Sequence, residues 1–106
     1  MSTPWPPPPD LESLKELFAS ADIEGLIADG APGDEYDPEA KHFSEEIRDY
    51  KTNQLSAVKL QPLLERLRIK QFMLDEHQIS QRRPALATLA TQIERFFGPE
   101  ATPQVR

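Results

Sequence analysis

Residues 56–77 read Ser-Ala-Val-Lys-Leu-Gln-Pro-Leu-Leu-Glu-Arg-Leu-Arg-Ile-Lys-Gln-Phe-Met-Leu-Asp-Glu-His. This stretch decides the fold class, because its centre supports two readings. Leu67-Arg68-Ile69-Lys70 alternates apolar and charged residues as a half-buried strand does, but no second strand candidate exists to pair with it. Val58, Leu60, Leu63, Leu64, Leu67, Phe72, Met73 and Leu74 instead recur in a broadly helical pattern, so the segment is read as one helix from Ser56 to about His77. Pro62 is harmless only in a first turn, which places the regular helix start near Leu60 or Gln61, with Ser56 as a possible cap.

With that segment helical, the rest of the chain follows as helices and one long loop. Downstream, Leu86, Leu89, Ala90, Ile93, Phe96 and Phe97 form a continuous stripe on a helix expected from about Pro84 to Phe97, stopped by Gly98-Pro99. Upstream, Asp37-Pro38-Glu39 combines an N-cap, a proline at the first helical position and an acid in the first turn. That helix places Phe43, Ile47 and Tyr50 on one face, leaves Glu39, Lys41, Glu45, Glu46, Arg48 and Asp49 for solvent, and is expected to end near Thr52-Asn53. The first helix begins after Asp10 as cap, carries Leu11, Leu14, Leu17 and Phe18 at helical spacing, and runs to about Ala21.

Between the first two helices lie residues 22–37, punctuated by Gly25, Gly30, Pro32 and Gly33 and anchored only by Ile23, Leu26 and Ile27. Such a length is unusual for a small domain, so the loop must be held by its own side chains. Its end, Asp29 to Glu39, holds five carboxylates and no basic residue. The architecture expected is all-α, a compact bundle of about four helices with residues 22–37 strapped over one end. Residues 1–9 are read as a proline-rich mobile arm around Trp5, 10–98 as a single domain and 99–106 as a frayed tail. The core is drawn from Leu14, Leu17, Phe18, Leu26, Phe43, Ile47, Leu64, Leu67, Leu89, Ile93 and Phe96.

Composition narrows the chemistry. The 106 residues contain no cysteine, which excludes disulfide frameworks, thiolate nucleophiles and sulfur-ligated zinc. No run of apolar residues is long enough to span a bilayer, and the expected location is the cytoplasm, without membrane association. The net charge of −6 divides unevenly: residues 1–50 carry thirteen Asp/Glu against three Lys/Arg, while residues 51–106 carry five against nine. An acidic front half can pack on a basic back half, and the acidic total disfavours a nucleic-acid partner.

Three constellations carry candidate chemistry. Glu39 and His42 stand three apart on a helix, as in di-metal carboxylate bundles, but the second Glu-x-x-His copy that such sites need is missing, so they are weak metal candidates. Asp29, Asp34, Glu35 and Asp37 invite a calcium reading but lack the alternating order of a calcium loop, and turn geometry explains them better. Lys59, Arg66 and Lys70 share one helical face, which faces either the acidic loop or a partner. No catalytic residues, metal or cofactor are expected, and the partner-binding candidates are Asp34, Glu35, Tyr36, Lys59, Arg66 and Lys70.

Residues 31–39, Ala-Pro-Gly-Asp-Glu-Tyr-Asp-Pro-Glu, resemble the YugE-like family of small bacterial helical proteins, whose mark is a "WDPIG" element followed by "AP-x-DEYD-x-E". Asp22 and Gly25, with Leu26 after them, fit the first element, while Ala21, Ile23 and Glu24 depart from it. Leu86 to Gly98 resembles the family's closing helix, and the segment from about Lys51 to Arg83 looks longer than its usual equivalent. The resemblance implies a compact helical fold without an established activity, and some members look like small immunity or partner-binding proteins.

The function expected is that of a non-enzymatic protein-interaction module, in its sharpest form an immunity-like inhibitor of a basic partner. The alternatives are a metal- or small-ligand-binding enzyme using Asp34-Glu35-Tyr36 with His42, and a homodimeric structural protein that self-associates.

Overall fold

The computed structural model describes residues 9–99; the expectations for the arm around Trp5 and for the C-terminal tail fall on residues 1–8 and 100–106, outside the described residues. Four α-helices follow in order, α1 Leu11–Ala21, α2 Asp37–Glu46, α3 Ala57–Phe72 and α4 Glu76–Phe97, and no strand occurs among the described residues. Each packs on its chain neighbour and α4 closes onto α1, giving the expected all-α bundle. None is long and apolar enough to cross a membrane.

Local chemistry accounts for most of the helix ends. Asp10 caps α1 by accepting from the Ser13 amide at 2.9 Å, and the helix buries Leu14 and Phe18 before Asp22 turns left-handed at φ 40°. In α2 the expected cap is corrected by one residue. Tyr36 occupies the cap position and Asp37 lies within the first turn, its carboxylate 3.7 Å from Lys15 of α1. The helix also stops at Glu46 rather than near Asn53. Beyond Ile47 the same face offers Tyr50, which stays exposed, and then Lys51, and Asp49, Thr52 and Asn53 favour turns. A short 3-10 turn, Thr52–Gln54, follows, and Tyr50 is exposed.

The expected boundary between the last two helices is also corrected. The chain breaks at Met73, not after His77, and α4 starts at Glu76 rather than Pro84. Asp75 and Gln78 form a reciprocal capping box, Asp75 Oδ1 accepting from the Gln78 amide at 2.8 Å and Gln78 Oε1 from the Asp75 amide at 2.9 Å. Both prolines then sit inside helices: Pro62 in α3, which begins at Ala57, and Pro84 in α4, each on the exposed side. Their missing donors leave carbonyls at Val58 and Ser80, both exposed residues, so the loss falls where water replaces the bond. Ser56 makes no side-chain cap; Glu94 of α4 accepts from the Ala57 amide at 2.8 Å and supplies the negative charge at the start of α3.

Met73 holds φ 55° and is exposed, a conformation that glycine adopts without the steric conflict of a Cβ. Met73→Gly therefore raises the unfolding free energy by about 0.5 kcal/mol, the relief of left-handed strain exceeding glycine's extra unfolded-state entropy; urea denaturation reads it. At the other end of α4, a Cβ on Gly98 would meet the Glu94 and Leu55 carbonyl oxygens at 2.7 and 2.9 Å, so the chain exit packs directly on the segment before α3.

The bundle buries Leu14, Phe18, Phe43, Ile47, Leu64, Leu67, Leu89 and Ile93 as the periodicity requires. Leu17, Leu26 and Phe96 pack against this core but stay partly exposed. Tyr36, Ala40, Leu55, Leu60, Leu63, Ile79, Leu86, Ala90 and Phe97 complete it, together with two charged residues, Glu39 and Arg68.

Candidate functional site

Residues 22–36 form a strap whose closure begins at Asp22. Its left-handed backbone turns the carboxylate inward, where Oδ1 accepts from the Ile27 amide at 3.1 Å and Oδ2 from the Ala28 amide at 2.9 Å. The Tyr36 hydroxyl donates to the same Oδ1 at 2.6 Å and accepts from the Glu24 amide at 3.1 Å. Gly25 and Gly30, at φ 71° and 101°, make the turns that return the chain to Tyr36. The bond from Tyr36 holds the Asp22 carboxyl below its ordinary range, while burial and then Asp22 raise the pKa of Tyr36. Tyr36→Phe removes the donor to Asp22 and strands a partly buried Glu24 amide. The variant loses about 1–3 kcal/mol in urea unfolding.

Glu24 then fastens the strap to the bundle. Arg82 of α4 grips its carboxylate in a fork, Nε to Oε2 at 2.9 Å and Nη2 to Oε1 at 2.8 Å, and Arg68 of α3 approaches Oε2 through Nη1 at 3.4 Å. Arg68 is fully buried, and its Nη2 donates to Glu39 Oε1 of α2 at 2.6 Å. Its guanidinium lies over the rings of Tyr36 and Phe72, 5.3 and 4.9 Å from their centroids. One ionic cluster thus joins the strap, α2, α3 and α4.

The cluster is incompletely satisfied. Glu39 Oε2 and Arg68 Nε, both buried, have no hydrogen-bond partner among the described residues. Burial pushes the Glu39 carboxyl up from 4.5 to about 7, against the opposing charge of Arg68 and with a smaller upward contribution from Glu24.

Several sequence expectations are corrected by this geometry. Glu39 does not face solvent; it stands four residues before Phe43 and shares its buried side. Glu39 and His42 are not brought together, since the carboxylate is engaged by Arg68 while His42 is exposed. Among the described residues no group of three or more His, Cys, Asp or Glu could hold a metal ion. Tyr36 is 1% exposed and is a core residue rather than a partner contact. Glu35 and His42 are exposed, and the groove that His42 lines with Asp34 is lined by neither Tyr36 nor Glu35.

The remaining candidates separate. Asp34 and Glu35 are exposed on the strap, and Asp34 borders a groove of about 620 Å³ with Lys15, Lys41 and His42. The basic face of α3 meets α2 and the segment after it rather than the strap: Arg66 pairs with Glu46 at 3.4 Å, Lys59 Nζ reaches the Asn53 carbonyl at 3.5 Å, and Lys70 lines a second groove beside Glu45 and Glu46.

None of Asp22, Glu24, Arg68 and Arg82 is among the site candidates read from the sequence, although Asp22 fits the first element of the family resemblance. For Arg68 a signal existed, because four residues after Leu64 it falls on the core face of α3.

Compared with known proteins, the chain matches no family model, no curated protein and no solved structure.

Proposed function

We propose that the protein is a non-enzymatic interaction module that presents the outer edge of its strap to a basic protein partner, in the manner of an immunity-type inhibitor. The observation that carries this reading is a division of labour within one loop. Asp22, Glu24 and Tyr36 hold the strap from inside, while Asp29, Asp34 and Glu35 are exposed and engage in no ion pair among the described residues. Carboxylates on an internally fixed loop need less ordering on binding than carboxylates on a free tail, and complementary charge accelerates encounter. Others of the front half's acids are paired within the chain, Glu24 and Glu39 with Arg82 and Arg68 in the interior and Glu46 with Arg66 at the surface. The uncompensated negative charge of the strap is therefore an outward-facing property.

The test uses the full chain as bait in its native lysate, beside a variant carrying Asp29→Asn, Asp34→Asn and Glu35→Gln. The reading predicts a basic protein retained by the wild type at about 0.1 M salt, weakened at about 0.5 M, and lost from the variant. Equal recovery by both baits, or repeated recovery of no protein, contradicts it.

A further inference from the structure

Four elements meet in the ionic cluster that contains Glu39, and its charges are unevenly shared. Arg68 of α3 donates to its Oε1 at 2.6 Å, and Glu24 of the strap approaches the same guanidinium at 3.4 Å. Arg82 of α4 is bonded to Glu24 rather than to Glu39. From α1, Lys15 is occupied by Glu12 and Asp37, and on α2 itself Asp37 lies towards Lys15 while His42 is exposed. The cluster thus contains two arginines and two glutamates, with Arg68 common to both carboxylates.

We propose that Glu39 is a proton-linked latch for residues 22–36, closed when its carboxyl is neutral and loosened when it is ionised. With Glu39 neutral, Arg68 and Arg82 both act on Glu24, the residue that ties the strap to α3 and α4. With Glu39 ionised, Arg68 is drawn towards α2, and two carboxylates beside one guanidinium repel each other across a buried site. The unpartnered Oε2 of Glu39 fits the neutral form, because a bare carboxylate oxygen without a donor is the costlier state to bury.

Burial places the change near neutral pH, since the carboxyl is raised from 4.5 to about 7. For a carboxyl raised on folding, the folded chain holds the proton more tightly than the unfolded one. The stabilisation from Glu39 is therefore full below about pH 4.5 and is lost as pH rises through about 7.

The experiment follows the backbone amides of Glu24, Ile27 and Ala28 by NMR from about pH 5 to about pH 9, together with the Glu39 side-chain carboxyl carbon. The latch predicts that strap amides and carboxyl carbon share one midpoint near 7, and that amide protection in the strap, corrected for intrinsic exchange, falls about tenfold across it. In Glu39→Gln, a permanently neutral replacement, the strap transition disappears; in His42→Asn, which removes the nearby exposed imidazole, it persists. Strap amides that do not titrate, that titrate equally in Glu39→Gln, or whose midpoint departs from that of the Glu39 carboxyl overturn the proposal. The wild-type comparison of midpoints decides the matter even where a variant fails to fold.

Discussion

Arg68→Met lowers the unfolding free energy by about 3–5 kcal/mol at about pH 8, because it leaves Glu39 buried without the guanidinium that donates to it. The methionine fills much of the space of the arginine stem, so a cavity contributes little and the loss is electrostatic. Glu24 retains the fork from Arg82 and stays paired. The abandoned carboxyl responds by binding a proton, and it already does so at about 7 in the intact protein. The cost accordingly shrinks below about pH 6, where neutralisation is free or nearly so. A second substitution separates charge from packing: Glu39→Leu on the Arg68→Met background recovers most of the loss, since replacing both partners of a buried ion pair with apolar residues is often neutral or stabilising. Urea unfolding of the three proteins at the two pH values reads all of these effects.

Phe43→Ala is comparably severe, about 3–5 kcal/mol, for a different reason. The substituted residue is fully buried on α2, which spans only Asp37–Glu46. Its ring lies tilted against Phe18 of α1, 5.6 Å between centroids, and this contact helps hold α2 on α1. A helix so short has little stability of its own, so removal of its largest apolar anchor is not offset by helix propensity. Against a total stability of roughly 5–15 kcal/mol, the variant is expected to sit close to the unfolding threshold in a thermal melt. Phe18→Ala combined with Phe43→Ala falls short of the sum of the two, because both enlarge the same void.

The fold class was legible because the apolar spacing in residues 56–77 and 86–97 leaves no partner for a strand. The front-to-back charge asymmetry was legible too, and it is realised in the pairs of Glu24, Glu39 and Glu46 with Arg82, Arg68 and Arg66. What misled was the assignment of sides by charge. Glu39 was placed towards solvent because it is acidic, although its spacing from Phe43 puts it on the buried face, and Arg68 follows Leu64 by the same spacing. Charged residues at core register enter the core when they find one another, and that pairing, 29 residues apart, is invisible to a local window.

The α3–α4 break was missed for a similar reason. Leu74 prolongs the apolar pattern and Pro84 mimics a helix start, whereas the Asp75 to Gln78 capping box states the true boundary. Tyr36 shows the limit of composition as a guide. Flanked by Asp34, Glu35 and Asp37 it reads as surface, yet its ring fills the space beside Arg68 and its hydroxyl closes the strap.

The central claim is that Glu24 is the ionic tie that, beside the apolar contacts of Ile23, Leu26, Ile27 and Tyr36, fastens the strap to the bundle through Arg82 and Arg68. Hydrogen exchange in Glu24→Gln tests it most directly, with the Ile27 and Ala28 amides reporting on the strap and the Leu89 and Ala90 amides on the core of α4. The account predicts that strap protection falls by about tenfold or more while the α4 amides change by only the smaller, shared loss of global stability. Equal loss at all four amides, or no loss in the strap, would contradict it.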